Sequence, residues 1–318
     1  MPLHPQAQQL LDRAKAAALQ PLHALSVADA RARMATAFIT TGEREPIHRI
    51  EEHPIATPAG GINMRLFRPG PEMPLPVIVF FHGGGWTLNS VETHDALCRA
   101  LANLTGAVVA AVEYRLAPED KYPAAVDDAW AATRWVASHA GQLGIDANRI
   151  AVAGDSSGAT LATVVALLAR EGGAVRLAAQ FLAYPVTDHW TAGTESYAKH
   201  AMGYSLGRDT MAWFWSHYLP EQADLNDPRV CPLRALSLAG LPPTLVMTAE
   251  FDPLHDEGEA YARRLKQAGV LVKYECLRGQ MHGFLMQTRF LDDARAALGR
   301  AADFLRERFE IAKVEAGV

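Results

Sequence analysis

Three cysteines in 318 residues are too few, and the wrong number, for a disulfide framework. Cys98, Cys231 and Cys276 are widely spaced, which fits reduced thiols in the cytoplasm. No spacing among the cysteines and histidines matches a zinc site. The chain also lacks an uncharged apolar run long enough to span a bilayer. Its first twenty residues lack the basic tip and unbroken apolar core of a signal peptide, because Asp12, Arg13 and Lys15 interrupt them. The formal net charge of -5 is spread along the chain, without the basic stripe that nucleic acid or an anionic membrane requires. The expectation is a cytoplasmic protein that binds no nucleic acid and has no membrane span.

What remains is 49% apolar and 20% charged, the make-up of a folded globular chain. The length allows one large α/β domain with an insertion, or two ordinary domains. Residues 1–45 read as two helices separated by Pro21, with Ser26 capping the second. Ile47–Ile55 and Ile62–Phe67 alternate apolar and polar residues, as in a half-buried antiparallel pair. Val77–Phe81, Ala107–Val112, Ile150–Ala153, Gln180–Tyr184, Thr244–Thr248 and Val270–Tyr274 are short apolar strands, most of them separated by Ala- and Leu-rich stretches of helical length. That alternation means a mostly parallel sheet covered on both faces. Thr187–Leu241 breaks it, being long, aromatic and partly helical without a convincing strand, and reads as an insertion above the sheet. No repeat or interdomain linker is visible.

Gly154-Asp155-Ser156-Ser157-Gly158 follows the apolar run Arg149–Ala153 and precedes a buried helical stretch. Strand, G-x-S-x-G, helix is the setting of a nucleophile elbow, in which a strained turn exposes the serine above the sheet. Ser156 is the candidate nucleophile, and the Ser157 amide stands beside the carbonyl it would attack. A second match, Gly203-Tyr204-Ser205-Leu206-Gly207, has no β-run before it and reads as a turn inside the insertion. His82-Gly83-Gly84-Gly85-Trp86 follows Val77–Phe81. Consecutive glycines let backbone amides approach a developing oxyanion. Gly83 and Gly84 are the expected donors, with Gly85 supporting the turn and His82 bracing the loop.

In this class the chain order is nucleophile, acid, base. Of the histidines after Ser156, His189, His200 and His217 fall in the insertion, and His255 starts a helix. His282 lies after the last strand and before a long helix, flanked by Gly279 and Gly283 as a loop reaching over the sheet would be. Asp252 directly follows the strand Thr244–Thr248 and precedes Pro253, which fixes the turn. It is the expected acid, ahead of Glu250, Asp256 and Glu257, which brace the loop or favour the positive end of the next helix.

Taken together, His82–Gly85, Tyr114-Arg115-Leu116-Ala117-Pro118-Glu119, Gly154–Gly158, Asp252-Pro253-Leu254 with Asp256-Glu257, and His282-Gly283-Phe284 resemble bacterial esterases of the hormone-sensitive lipase family. The resemblance runs from about residue 45 to the C-terminus. It implies an α/β-hydrolase fold with an eight-stranded sheet and a helical cap. The cap would combine the helices of residues 1–45 with an insertion at about 187–241, and residues 46–318 would form the catalytic domain. It implies esterase activity on short and medium acyl esters. The family usually reads G-D-S-A-G-G, whereas here Ser157 replaces the alanine and Ala159 the last glycine. Tyr114–Glu119 is an ordered loop with no chemistry assigned. Trp86, Tyr184, Tyr204, Phe214, Trp215 and Phe284 are candidates for the substrate pocket. No cofactor or metal is required, the partner is a small-molecule ester, and a homodimer is left open. Amides, formamides and thioesters stand as rival substrates. A ligand-binding protein on a disabled hydrolase would show a broken triad, and all three residues are present.

Overall fold

Alternate residues of the central strands face opposite ways, and both sets are apolar. Val77, Val79 and Phe81 enter one core with Val108, Ala110, Val112, Ile150 and Val152, while Ile78 and Phe80 enter another with Val109, Ala111, Ala151 and Ala153. A strand buried on both faces must have helices on both faces. The protein, seen as a computed structural model, is described over residues 2–38, 42–57, 60–173 and 175–317. The N-terminal expectation over 1–45 includes residues 1 and 39–41, which lie outside the described residues.

In chain order the elements are α1 (Pro5–Ala16), α2 (Val27–Phe38), β1 (Arg49–Thr57), β2 (Gly60–Arg68), β3 (Leu75–Phe81), α3 (Asp95–Thr105), β4 (Val108–Glu113), α4 (Ala124–Ser138), β5 (Ile145–Asp155), α5 (Ser157–Gly172), β6 (Ala179–Ala183), α6 (Glu195–Lys199), α7 (Arg208–Tyr218), β7 (Thr244–Phe251), α8 (His255–Gln267), β8 (Val272–Met281) and α9 (Asp292–Glu315). The described strands form one eight-stranded sheet in the order β1-β2-β4-β3-β5-β6-β7-β8. Both pairings of β2 are antiparallel, and all pairings from β4 to β8 are parallel. Helices α4, α5 and α8 share the first core, and α3 and α9 share the second. Each fully buried Val, Leu, Ile or Phe in these cores contributes about 1.5–3 kcal/mol.

Ser26 caps α2 as read, its Oγ accepting the Asp29 N–H at 3.1 Å. The two N-terminal helices part company. The turn before α2 meets the insertion, with His23 Nδ1 3.1 Å from Thr210 Oγ1 on α7. Helix α1 is tied to β8 and α9 instead: the His4 N–H donates to the Gly279 carbonyl at 2.9 Å, and Gln6 Nε2 donates to Asp292 Oδ2 at 2.9 Å. The last strand also differs from its reading. It runs on to Met281, because Gly279 is not a loop residue but sits at φ +72° where the β7–β8 register shifts. The strand therefore delivers His282 directly. The insertion between β6 and β7 lies against the loops at the carboxyl ends of the strands: Phe214 packs on Gly85, and Ser205 Oγ donates to the His282 carbonyl at 2.9 Å. No helix among the described residues is long and apolar enough to cross a membrane.

Candidate active site

β5 and α5 meet at Ser156, whose backbone sits at φ +54° and ψ −124°. That conformation costs a non-glycine residue about 1–3 kcal/mol and persists only when its surroundings over-determine it. Here they do. The Ser156 N–H donates to Ala183 O at 2.8 Å. A Cβ on Gly158 would collide with the Phe81 carbonyl, and one on Gly154 with the Gly158 backbone, so both glycines are required by close approach.

His282 follows β8 and turns its ring between Ser156 and Asp252. Nδ1 lies 2.7 Å from Asp252 Oδ2, and Nε2 lies 2.9 Å from Ser156 Oγ. An ionised carboxylate only accepts, so the ring proton belongs on Nδ1, and Nε2 is left to accept the Ser156 hydroxyl. Asp252 is wholly buried, and its Oδ1 accepts the Leu254 N–H at 2.9 Å. The other acids have different partners. Glu250 accepts the Gly279 N–H at 2.7 Å, Asp256 the Ser196 N–H at 2.7 Å, and Glu257 the Thr187 N–H at 2.8 Å. They brace β8 and the root of the insertion. Burial drives the Glu257 carboxyl well above its ordinary range, against the pull of the Thr187 and Asp188 amides.

The glycine loop departs from its reading. The Gly83 N–H, named as an oxyanion donor, instead donates to Asp155 Oδ1 at 2.8 Å. Asp155 is the buried residue just before Ser156, and His94 Nε2 lies 3.1 Å from the same oxygen. Burial alone would raise the Asp155 pKa, but His94 and the Gly83 N–H outweigh it and hold the carboxyl low. The rest of the loop follows by pairing its backbone groups. The Gly83 carbonyl lies 2.8 Å from His82 Nδ1 and accepts Asn89 Nδ2 at 3.2 Å. The Gly84 carbonyl accepts the Thr87 and Leu88 N–H groups, and Thr87 Oγ1 donates to Gly85 O. The Trp86 N–H donates to Ser157 Oγ at 3.2 Å, and its carbonyl accepts the Ala117 N–H at 2.8 Å. Among residues 83–86, the Gly83 and Trp86 amides have acceptors, and the Gly84 and Gly85 amides have none among the described residues. Loop residues 83 and 86 are bonded to residues 155 and 157, so the two free amides are bracketed beside Ser156. The Ser157 N–H is a third, one of the orphan donors at the start of α5.

His82 sits beneath this loop, stacked on Tyr114 with centroids 4.3 Å apart, and Tyr114 Oη donates to the His82 carbonyl at 2.6 Å. Burial, reinforced by nearby His94, pushes the His82 pKa down to about 3, so the ring is neutral.

Four of the six pocket candidates line no open space. Trp86 and Trp215 are 0% and 2% exposed, packed with Tyr218 where the insertion meets the loop. Tyr184 and Phe284, each 1% exposed, back His282, the Tyr184 ring centroid lying 4.7 Å from that of His282. Burying rings of this size removes large apolar areas from water, although the Trp86 and Trp215 Nε1–H groups are buried without an acceptor among the described residues. Phe214 lies against Gly85, where a Cβ would collide with its ring, and Tyr204 is half-buried beside Phe251 and His200. Asp155, His94 and the Ser157 hydroxyl are site residues the sequence reading did not single out. Its place immediately before Ser156 was the signal available for the first of them.

Sheet order, elbow and the chain order of these residues define an α/β-hydrolase. A family profile described as the alpha/beta hydrolase fold matches residues 78–286. The carboxylic ester hydrolase LipN of Mycobacterium tuberculosis is 46% identical over 238 residues, 73% of this chain and 63% of LipN. An ethyl acetate hydrolase of Pseudomonas putida is 37% identical over 308 residues, 94% of this chain and 96% of its own length. Among solved structures, a hyperthermophilic esterase from the archaeon Pyrobaculum calidifontis superposes with a TM-score of 0.93 at 42% identity, covering 96% of this chain and 99% of that one. The chain belongs to the α/β-hydrolase family, among the carboxylic ester hydrolases of hormone-sensitive lipase type.

Proposed function

We propose that the protein hydrolyses short and medium acyl esters through an acyl-enzyme on Ser156. The observation that carries this reading is the unbroken line Asp252–His282–Ser156 beside two unpartnered backbone amides. Ser156 Oγ attacks the ester carbonyl while His282 Nε2 takes its proton. Negative charge gathers on the carbonyl oxygen, where the Gly84, Gly85 and Ser157 N–H groups are preorganised to receive it. His282 returns the proton to the leaving alcohol. Water, deprotonated by His282, then attacks the acyl-serine and frees the acid. Asp252 holds the ring in its Nδ1–H tautomer and stabilises the imidazolium without being protonated itself.

The insertion is the cap in this reading, with Phe214 and Tyr204 bordering the acyl site. Each methylene that finds room adds about 0.8 kcal/mol, about a fourfold gain, until the aromatics are met. A relative of this chain carries the name ethyl acetate hydrolase, which agrees with a short acyl group. The test is kcat/KM for p-nitrophenyl esters from acetate to palmitate, beside matched anilides and thioesters. Esters should dominate, with a peak between butyrate and octanoate. A higher kcat/KM for the anilide or thioester would replace the substrate class, and a steady rise to palmitate would remove the limiting cap.

A further inference from the structure

One motif has no part in the chemistry above: Tyr114–Glu119. One of its carbonyls and one of its side chains meet a residue of the N-terminal helix. Arg31, on α2, donates from Nη2 to the Ala117 carbonyl at 2.9 Å and holds both Glu119 carboxylate oxygens, at 2.9 and 2.7 Å. Its Nε donates to the Thr87 carbonyl at 2.9 Å. One guanidinium thus joins three pieces of chain, a geometry that suits its planar fork and that a lysine could not reproduce.

Thr87, with Leu88, sets the direction of one of the two free amides, that of Gly85; the Gly84 N–H shares its plate with the Gly83 carbonyl, which His82 Nδ1 and Asn89 Nδ2 hold. A peptide unit is planar, so the C=O of one residue and the N–H of the next point opposite ways along one plate. The Gly84 carbonyl accepts the Thr87 N–H at 3.2 Å and the Leu88 N–H at 2.9 Å, which aims the Gly85 N–H the other way. Thr87 Oγ1 fixes the Gly85 carbonyl at 3.0 Å, so the plates on both sides of the Gly85 Cα are anchored at Thr87. Glycines at φ +126° and +61° have no side chains to hold these plates themselves.

We infer that Arg31 is a positioning residue for the oxyanion loop, acting through the Thr87 carbonyl, so that the N-terminal helix takes part in transition-state stabilisation. The inference rests on the reading of Gly84 and Gly85 as oxyanion donors. The Arg31–Glu119 pair itself adds little stability, since Glu119 is 60% exposed. Its effect lies in aim, because a donor displaced by a fraction of an ångström loses much of its worth to the transition state.

The test compares Arg31→Lys and Arg31→Ala with the wild type. Arg31→Lys keeps a charge near Glu119 but loses the fork. Both should lower kcat, by about tenfold or more, with KM within about twofold, and equally for acetate and octanoate esters. The affinity of a trifluoromethyl ketone, whose serine adduct carries an oxyanion, should fall by the same factor. Ethylguanidinium should restore part of kcat to Arg31→Ala. Arg33→Ala, on the same helix, should leave kcat unchanged. Thermal melts accompany each variant, and if Arg31→Ala does not fold, Arg31→Lys decides. Wild-type kcat in Arg31→Lys, or a change confined to KM and the acyl-chain profile, would overturn the inference and leave α2 as a wall only. Phosphonate labelling of Ser156 in the wild type separates the two levels. Without labelling, the proposed chemistry itself fails; with labelling and an inert Arg31→Lys, only the positioning role fails.

Discussion

Two stretches of this chain read G-x-S-x-G, and both of their serines touch the same histidine. Ser156 meets the His282 ring at Nε2, 2.9 Å away, whereas Ser205 donates to the His282 main-chain carbonyl, also at 2.9 Å. Around Ser156 the pattern is enforced from every side: a strand delivers it, a helix starts after it, and neither flanking glycine can take a Cβ. Around Ser205 the chain makes bends before α7, the serine is exposed, and Gly203 has nothing within reach of a Cβ. The five-residue pattern therefore carries no chemistry by itself. Burial and the neighbouring strand make one copy a strained turn that faces the His282 ring and the other a tie between the insertion and the His282 main chain.

The sharpest way to break this comparison is to disable the ring that only Ser156 addresses. His282→Ala should abolish nearly all turnover, and Asp252→Asn should lower kcat by about 10⁴ with the fold intact. Near-normal kcat in Asp252→Asn, with circular dichroism unchanged, would reassign the acid. Next come the glycines. Gly158→Ala drives a Cβ into the Phe81 carbonyl and should cost at least about 1–3 kcal/mol in urea unfolding, with loss of activity. Gly203→Ala, strained only by its φ of +91°, should cost about 1 kcal/mol and spare kcat. Equal costs would mean that the two turns are built alike.

Much of this was legible beforehand, for a physical reason. Strand periodicity, the glycines around Ser156 and the glycine run after β3 are local signals, and each prescribes its own backbone. What escaped reading depends on which distant chain segment approaches. Gly83 looks as free as Gly84 until Asp155 is folded against it. Gly279 looks like a loop until β7 shifts register beside it. Trp86, Tyr184, Trp215 and Phe284 are aromatic in either role, and only their packing shows that they are buried supports. Arg31 is an ordinary surface-helix residue in sequence, and its three acceptors lie 56 to 88 positions away.

Two buried titratable groups sharpen the contrast between floor and insertion, because their linkages run in opposite directions. His82, under the glycine loop, has its pKa lowered from 6.5 to about 3. Between those values the unfolded chain binds a proton that the folded chain refuses, so this contribution to stability is present above pH 6.5 and lost as pH falls toward 3. Glu257, at the root of the insertion, is raised well above 4.5. Its contribution is present below pH 4.5 and lost as pH rises through the folded value. Each amounts to at most about 1.4 kcal/mol per pH unit. Urea titrations at pH 5 to 6.5 should show a smaller rise of stability with pH in His82→Asn and a larger rise in Glu257→Gln. Unchanged slopes in both would mean that neither group is held in its buried neutral form. The smallest effect expected is that of Ser205→Ala. It removes one exposed hydrogen bond, about 0.5–1.5 kcal/mol, and should change kcat by a few-fold at most.

The most direct test of the central claim is to ask the enzyme which serine it activates. After treatment with a p-nitrophenyl phosphonate, peptide mass spectrometry should find one adduct per chain, on Ser156, and none in Ser156→Ala. An adduct on Ser205, or undiminished labelling of Ser156→Ala, would contradict the account.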